Sequence, residues 1–257
     1  MRAERRFHSS NVLLSSLSDQ DAARLAPFLK RGPLHRDQVV LEVGAPISTI
    51  CFPESGIVSF HEVLTDGSRV GIGIIGFDGM VGWSALLGCE RSPHEASIAI
   101  GGGKGLSIST MELQRACADS PTLNKFLLGY VQCFMSQMGR TITSNLRDPL
   151  DKRLARWLLM NHDRLDGDRI PLTHDQLGVM LGVRRASVTD TLHILEGAAL
   201  IRLARGTIEI RSRAGLEAFA GEAYGSAEAE YATRIAPFAK HSGAAASAAC
   251  SGVASGR

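Results

Sequence analysis

Residues 172–200 read LTHDQLGVMLGVRRASVTDTLHILEGAAL, and this stretch carries the strongest local structural signal in the chain. Thr173 followed three residues later by Gln176 is a capping-box pattern, which predicts that a helix starts here. Leu177 and Leu181 then lie about one turn apart on a single face. The pattern predicts a short helix with one buried side.

Two glycines predict a tight turn and a second helix. Gly178 leaves room for another helix to cross closely, and Gly182 stands where the chain must turn with a backbone that few other residues tolerate. In the second helix the apolar positions Val188, Leu192 and Leu195 form one stripe, which leaves outward Arg184, Arg185, Ser187, Thr189 and Asp190. The motif resembles a helix-turn-helix. An ordinary helical hairpin with glycine at its corner has the same apolar skeleton, so the neighbouring sequence must decide between them.

The segment after the second helix favours the first interpretation. Residues 201–210, IRLARGTIEI, alternate β-branched and polar residues around Arg205 and Gly206, which predicts a short hairpin, or wing. Between Leu181 and Arg213 there are six arginines and three acidic residues, a local excess of +3. A winged helix-turn-helix with a basic face indicates DNA binding.

Composition limits the alternatives. The 257 residues suggest about two domains, and the hydrophobic fraction of 44% and charged fraction of 21% are typical of a globular protein. A net charge of +2 excludes a wholly electrostatic nucleic-acid binder. No apolar run approaches the ~20 residues that span a bilayer, and the N-terminus lacks a secretory pattern. We therefore expect a cytoplasmic protein without membrane contact, with reduced thiols at Cys51, Cys89, Cys117, Cys133 and Cys250.

The first half of the chain predicts a β-domain behind a helical lead-in over residues 9–31. From Gly32 onward, glycines recur about every ten residues between short β-branched segments, which is typical of a sandwich or barrel of roughly 80 residues. Residues 57–64 and 68–75 flank Thr65-Asp66-Gly67, a strong hairpin signal. A capping box of Ser109 and Glu112 then starts a short helix.

A longer helix is predicted from Pro121 to about Asn145. A helix of about 25 residues is near 37 Å long, more than a small β-domain covers, so its apolar stripe predicts an interface with a second chain. The alternative is a helix packed lengthwise on its own β-domain. The predicted interface residues are Leu123, Phe126, Leu127, Tyr130, Phe134, Met138 and Ile142.

The remaining segments predict little chemistry. Asp148 and Pro149 start the next helix, and we interpret the acidic run Asp163, Asp166 and Asp168 as a solvated turn, since its spacing does not fit a calcium loop. Gly101-Gly102-Gly103-Lys104 lacks the Ser or Thr of a phosphate loop. No metal-ligand or catalytic pattern occurs, so we expect no enzyme activity, no cofactor and no metal. Residues 240–257 have too little apolar bulk to fold.

The order of these parts resembles the Crp/Fnr family of bacterial transcription regulators over residues 18–220. The most specific segments are PLTHDQLGVMLGVRRASVTDTL, LARWLLM, FPESGIVS and GFDGMVGWSALLG. The resemblance implies an α+β fold with an antiparallel, jelly-roll-like β-roll that senses an effector (18–120), a dimerisation helix (121–147), a winged helix-turn-helix (148–220) and a disordered tail (240–257). It also implies three partners: double-stranded DNA bound at a palindromic operator, a second copy of the chain, and RNA polymerase.

The first departures from the family concern the residues that bind the effector. The stretches that correspond to the cyclic-AMP anchors are Gly82-Trp83-Ser84-Ala85 and residues 92–96, and neither the ribose-binding Glu nor the phosphate-binding Arg appears. Glu95 near that position would repel a phosphate. The N-terminal cysteine cluster of the oxygen-sensing members is also absent, since Cys51 is the first cysteine. The effector therefore stays unknown, and cyclic AMP is not expected to bind.

The recognition helix departs from the family as well. Arg185 falls on the guanine-reading Arg, but the next position, usually Glu, is Ala186, and a later Arg is replaced by Asp190. Ser187 matches a phosphate-contacting hydroxyl, and His174 lies where relatives place a basic phosphate contact. The predicted DNA-contacting residues are Thr173, His174, Arg184, Arg185, Ser187 and Thr189. The alternative function is a β-roll ligand-binding or interaction module whose helix-turn-helix only packs.

Overall fold

Two antiparallel sheets make up the N-terminal half of the protein, as the glycine spacing predicted. The structure is a computed structural model that describes residues 8–237. One sheet has the strand order β1-β7-β3 and the other β2-β6-β4-β5, and their inner faces share one core. The strands are β1 (Lys30–Leu34), β2 (Val39–Leu41), β3 (Thr49–Pro53), β4 (Ile57–Val63), β5 (Arg69–Ile75), β6 (Glu95–Ile100) and β7 (Gly103–Ser109).

Short helices close this β-roll at its ends. The lead-in forms α1 (Val12–Ser15) and α2 (Asp19–Leu25), and α3 (Thr110–Asp119) follows the last strand. Ser109 caps α3 as predicted, since its hydroxyl accepts a hydrogen bond from the Glu112 amide at 3.2 Å; the Glu112 carboxylate accepts from the same hydroxyl at 2.7 Å rather than from the Ser109 amide, as a full capping box requires. The predicted hairpin is present too, with Gly67 in a left-handed conformation at φ +79° between β4 and β5.

The long helix α4 (Pro121–Arg147) has 27 residues and a length of about 40 Å. The Ser120 hydroxyl caps it, and Pro121 takes the first helical position, where no amide donor is needed. One side of α4 joins the core of the β-roll. The chain breaks at Asp148, and Pro149 is the N-cap residue of the next helix.

In the C-terminal domain, four helices (α5 to α8) and a three-stranded sheet of order β8-β10-β9 surround a second core, and a last helix, α9, packs against the first core. Its elements are α5 (Leu150–Asp163), β8 (Arg169–Ile170), α6 (His174–Leu181), α7 (Arg185–Gly197), β9 (Ile201–Ala204), β10 (Thr207–Ile210), α8 (Arg213–Ala220) and α9 (Ser226–Arg234). β8, α8 and α9 are absent from the sequence predictions. The tail predicted for residues 240–257 lies outside the described residues.

The two domains pack directly on each other. Helix α6 lies on the outer face of β5, where a Cβ added to Gly71 would be 2.7 Å from the Met180 carbonyl oxygen. The Gln176 side chain also donates to the Ala99 carbonyl at 3.4 Å. Ile57 and Ile74 of the roll belong to the same apolar core as the helices of the C-terminal domain. The absence of a side chain at position 71 is therefore a condition of this packing.

The acidic run after α5 corrects one prediction. Asp163 is buried rather than solvated, because its carboxylate accepts hydrogen bonds at 2.7 Å from Arg213 and from the Tyr224 hydroxyl. Both partners lie more than 45 residues further along the chain, beyond the reach of local patterns.

No group of three potential metal ligands occurs among residues 8–237, and no helix in that range is long and apolar enough to cross a membrane. Cys51, Cys89, Cys117 and Cys133 are free.

Candidate DNA-binding site

Helix α6 begins as the sequence predicted. The Thr173 hydroxyl accepts a hydrogen bond from the Gln176 amide at 3.2 Å, and the Gln176 side chain accepts one from the Thr173 amide at 3.0 Å. This reciprocal capping satisfies two amide groups that would otherwise lack partners. The Thr173 hydroxyl is thus occupied in holding the helix end.

The turn between α6 and α7 depends on two glycines. Gly182 has φ +65°, a left-handed conformation that is costly for residues with a Cβ, and it ends α6. At Gly178 an added Cβ would lie 2.9 Å from the Val183 carbonyl oxygen, closer than real Cβ contacts come. The sequence interpretation of both glycines is confirmed, and the turn is as tight as a helix-turn-helix requires.

The first turn of α7 presents its polar side to solvent. Val188, Leu192 and Leu195 are fully buried in the predicted stripe, whereas Arg184 and Arg185 are exposed. Arg184 is the N-cap residue and Arg185 the first helical residue, so the two guanidinium groups start from different backbone positions. Ser187 and Thr189 are half-buried, and Asp190 is exposed.

Two side chains of α6, His174 and Asp175, contact side chains of α7. Nδ1 of His174 lies 2.8 Å from Oγ1 of Thr189, whose hydroxyl donates to the Arg185 carbonyl at 3.1 Å. Asp175 lies 3.8 Å from Nε of Arg185, and both side chains are about two-thirds exposed. In the family a Glu usually follows the guanine-reading Arg, but that position is Ala186 here. The Asp175 carboxylate is the acidic group that lies near Arg185 instead.

The predicted wing follows α7. β9 and β10 pair in register from Ile201 with Ile210 to Ala204 with Thr207, and Gly206 has φ +68° at the turn. Arg202 and Arg205 are exposed on this hairpin. The wing thus adds exposed positive charge to that of α7.

The long helix corrects the predicted interface. Leu123, Leu127, Tyr130 and Phe134 are at most 2% exposed because they fill the core of their own β-roll, so the prediction that they contact a second chain is wrong. Phe126 and Met138 are partly buried against the same core. The alternative of packing lengthwise on the β-domain holds for this side of α4. Of the predicted set, Ile142 remains open to solvent.

A different face of α4 carries exposed apolar residues. Met135, Ile142 and Leu146 are 49%, 59% and 81% exposed, and Leu128 lies seven residues before Met135. Leu128, Met135 and Ile142 recur every seven residues and Leu146 follows four later, which is the spacing of a helix–helix seam. We call these four residues the α4 seam.

The interior of the β-roll is filled by aromatic rings. The ring of Phe134 lies 5.1 Å from that of Phe60 and 5.5 Å from that of Trp83. Glu95 does not point into this space, which corrects its expected repulsion of a phosphate. It pairs across the strands with His61 on the outer sheet face, and it accepts a hydrogen bond from Arg69 at 3.0 Å.

An exposed second helix with arginines at its start and a wing beside it defines a winged helix-turn-helix protein. Residues 152–219 match the Crp-like helix-turn-helix domain family. No functionally curated protein matches the chain by sequence.

Solved structures match most of the chain. A Crp/Fnr-family transcriptional regulator from Eubacterium rectale is 20% identical, covers 81% of this chain and 97% of its own, and has a TM-score of 0.63. FixK2 from Bradyrhizobium japonicum is 17% identical, with coverages of 76% and 99% and a TM-score of 0.67. The c-di-GMP responsive global regulator CLP from Xanthomonas campestris is 16% identical, with coverages of 76% and 100% and a TM-score of 0.62. The resemblance is thereby confirmed: the chain has the fold of Crp/Fnr transcription regulators and carries a Crp-like helix-turn-helix domain.

Proposed function

We propose that the chain is a homodimeric, sequence-specific DNA-binding transcription regulator that recognises a palindromic operator and acts with RNA polymerase. Residues 18–120 are its sensor domain, 121–147 its dimerisation helix and 148–220 its DNA-binding domain. The observation that carries the proposal is the first turn of α7, where the apolar stripe is buried and two arginines face solvent. The N-terminal end of a recognition helix is the part that reaches base edges.

The two arginines have different roles in this proposal. Arg185 bonds O6 and N7 of one guanine, held in position by Asp175 at 3.8 Å. Arg184 precedes the helix and contacts phosphate, which positions the domain without reading sequence. His174 stands next to Thr189 and contacts phosphate, as does Ser187.

Asp190 favours an operator unlike those of relatives with Arg at this position. Its carboxylate is exposed one turn beyond Ala186, on the same side of α7 as Ala186 and Ser187. A carboxylate accepts a hydrogen bond from the amino group of cytosine and is repelled by phosphate. We expect cytosine in the strand position that Asp190 faces.

A second copy of the chain covers the α4 seam. The four residues are apolar and spaced for packing against an equivalent helix; three of them are exposed and Leu128 is half-buried, while the adjacent side of α4 is already used by the β-roll. Two-fold symmetry about this seam places two recognition helices on one DNA face. The roll interior is packed with aromatic rings, so the sensor domain does not take cyclic AMP.

A salt titration of DNA binding tests the proposal. We expect binding to one selected duplex to survive competitor DNA and to weaken steeply with salt, with a slope of about −0.9 per phosphate contact. Arg184→Ala should lower that slope by about one unit and leave the preferred sequence unchanged. Arg185→Ala should relax the preference at one guanine in each half-site, worth about 1–3 kcal/mol. Binding that is equal for all duplexes would instead support an interaction module with a structural helix-turn-helix.

A further inference from the structure

Helix α9 ties the end of the DNA-binding domain back to the sensor domain. The preceding helix α8 contributes Leu216 and Ala220 to the core of the C-terminal domain. By contrast, Tyr231 of α9 and the following Ile235 pack into the core of the β-roll, and α9 lies along α4. Helix α9 therefore attaches the DNA-binding domain to the sensor in addition to the chain at Asp148 and the contact between α6 and β5.

A buried cluster joins the sensor, α5 and α9. The Arg164 guanidinium donates to both carboxylate oxygens of Asp78, at 3.0 and 2.6 Å, and the Tyr231 hydroxyl donates to the Asp78 carbonyl at 2.6 Å. We call Asp78, Arg164 and Tyr231 the clasp. Burial alone would lower the pKa of Arg164, but the charge and hydrogen bond of Asp78, together with the charges of Asp163 and Glu228, outweigh burial and raise that pKa. Burial, followed by the charge of Asp78, raises the pKa of Tyr231, so its hydroxyl remains a donor.

The segment that leads into α9 is anchored as well. The Tyr224 hydroxyl donates to Asp163 at 2.7 Å and accepts from Arg213 at 2.8 Å. Gly221 and Gly225 flank it with φ +57° and +106°, and they allow the chain to change direction between α8 and α9. Glu228 is also buried, and its side chain accepts a hydrogen bond from the Gly225 amide. The path of α9 is thus specified along its length.

The contact between α6 and the outer face of the β-roll leaves buried polar groups without hydrogen-bond partners in the part of the chain that the structure describes. Ser59, His61 and Glu95 lie on the sheet face that α6 covers. Ser59 pairs with Ile74, which belongs to the core of the C-terminal domain. His61 pairs with Glu95 and with Gly71, which lies against Met180 of α6. One buried polar atom of each (Oγ, Nδ1 and Oε1) has no hydrogen-bond partner among the described residues. Buried polar groups without partners disfavour an interface. The contact between α6 and β5 therefore holds the domains less firmly than its apolar part alone would, and the clasp with α9 adds to it.

We infer that α9 positions the DNA-binding domain and thereby sets the spacing of the operator half-sites. The inference rests on the proposed function. Tyr231 is a positioning residue, since it acts through Asp78 and Arg164 and is remote from α7. A dimer whose two domains are held rigidly fits one half-site separation, and each added base pair shifts the second site by about 3.4 Å along the axis. Without α9 the domains keep the chain at Asp148, the Arg164–Asp78 pair and the α6–β5 contact with its polar atoms unpartnered among residues 8–237, and we expect them to accept several separations.

Operators with spacers altered by one and two base pairs test this inference. We compare the full chain with a chain ending at Tyr224, which lacks α9, and with a control ending at Pro237, which keeps α9. The full chain and the control should prefer one spacing by about tenfold or more, and the chain without α9 should bind all spacings within about threefold. A preference unchanged by loss of α9 would overturn the inference. Failure of the full chain to select any operator would instead refute the proposed function.

A matched pair of tyrosine variants decides the case if the shortened chain does not fold. Tyr231→Phe removes the hydrogen bond from α9 to the Asp78 carbonyl, and Tyr130→Phe removes a 3.4 Å bond from α4 to the nearby Met80 carbonyl. Both delete one buried hydroxyl beside the same loop. We expect relaxed spacing in Tyr231→Phe alone. Equal spacing preferences in the two variants would contradict a positioning role for α9.

Discussion

Replacement of Arg164 by Met should strongly destabilise the protein. The Arg164 and Asp78 side chains are 2% and 5% exposed, and their closest atoms are 2.6 Å apart. Met fills part of the guanidinium's volume but leaves the Asp78 carboxylate buried with only the Gly76 amide as a hydrogen-bond donor, at 2.8 Å. Breaking one side of a buried ion pair costs about 3–5 kcal/mol. We expect that loss in the free energy of unfolding.

Urea denaturation at pH 7 measures the loss, and a double-mutant cycle assigns it to the pair. At about 2–4 °C per kcal/mol for a chain of this size, the melting temperature should fall by roughly 6–20 °C. Asp78→Leu with Arg164→Met removes both charges, so the double variant should be less destabilised than the sum of the single variants, by about 1–3 kcal/mol. A single-variant loss below about 1 kcal/mol would refute the interpretation of this contact as a buried ion pair, since that is the range of surface pairs. Strict additivity would refute the coupling.

Three further predictions concern the seam, pH and the ligand. The double variant Met135→Glu with Ile142→Glu should be a folded monomer by light scattering, whereas Tyr130→Glu should unfold the sensor domain. If the double variant is still a dimer, the α4 seam is not the dimer interface. Burial, followed by the charge of Arg69, lowers the pKa of His61 from 6.5 to about 4, so the unfolded chain binds the proton more tightly. Stability should therefore fall as pH drops from 6.5 to 4, by at most about 3 kcal/mol, and His61→Gln should remove this dependence in urea titrations at several pH values. Millimolar cyclic AMP should leave the melting temperature unchanged, because a ligand at 100 times its dissociation constant would add about 2.7 kcal/mol; a rise of several degrees would contradict the filled roll.

The helix-turn-helix could be predicted from sequence because its determinants are local. The capping box of Thr173 and Gln176 spans four residues. Gly182 by itself indicates a left-handed backbone, because residues with a Cβ rarely adopt that conformation. The turn at Gly67 is similarly encoded within a few residues. Such signals do not depend on distant partners, so the structure reproduces them.

The side of α4 that meets a partner could not be predicted in this way. The helix has two apolar stripes, one through Leu127 and Phe134 and one through Met135 and Ile142, and spacing alone shows that each is helical. Which stripe is buried depends on where the β-roll lies, and that is set by contacts far apart in sequence. The orientation of Glu95 toward the outer face of the sheet was missed for the same reason.

Helix α9 escaped prediction because its buried face is small. Ala227, Tyr231 and Ile235 recur every four residues, which is a helical signal, but three of the intervening residues, Glu228, Glu230 and Arg234, are charged. Glu228 is buried near Arg156 and Arg164; burial acts to lower the pKa of each guanidinium, and the charge of Glu228 is one of the causes that act to raise it. A buried charge of this kind cannot be distinguished from a solvated one without the tertiary structure.

Selection of duplexes from a random library by the purified full chain tests the central claim most directly. The proposed function predicts one enriched sequence with two inverted half-sites about 34 Å apart, centre to centre, each with the guanine read by Arg185. Arg185→Ala should recover the same half-site arrangement with that guanine no longer preferred. Failure of the full chain to enrich any sequence above the starting library would contradict the assignment of a DNA-reading surface to α7.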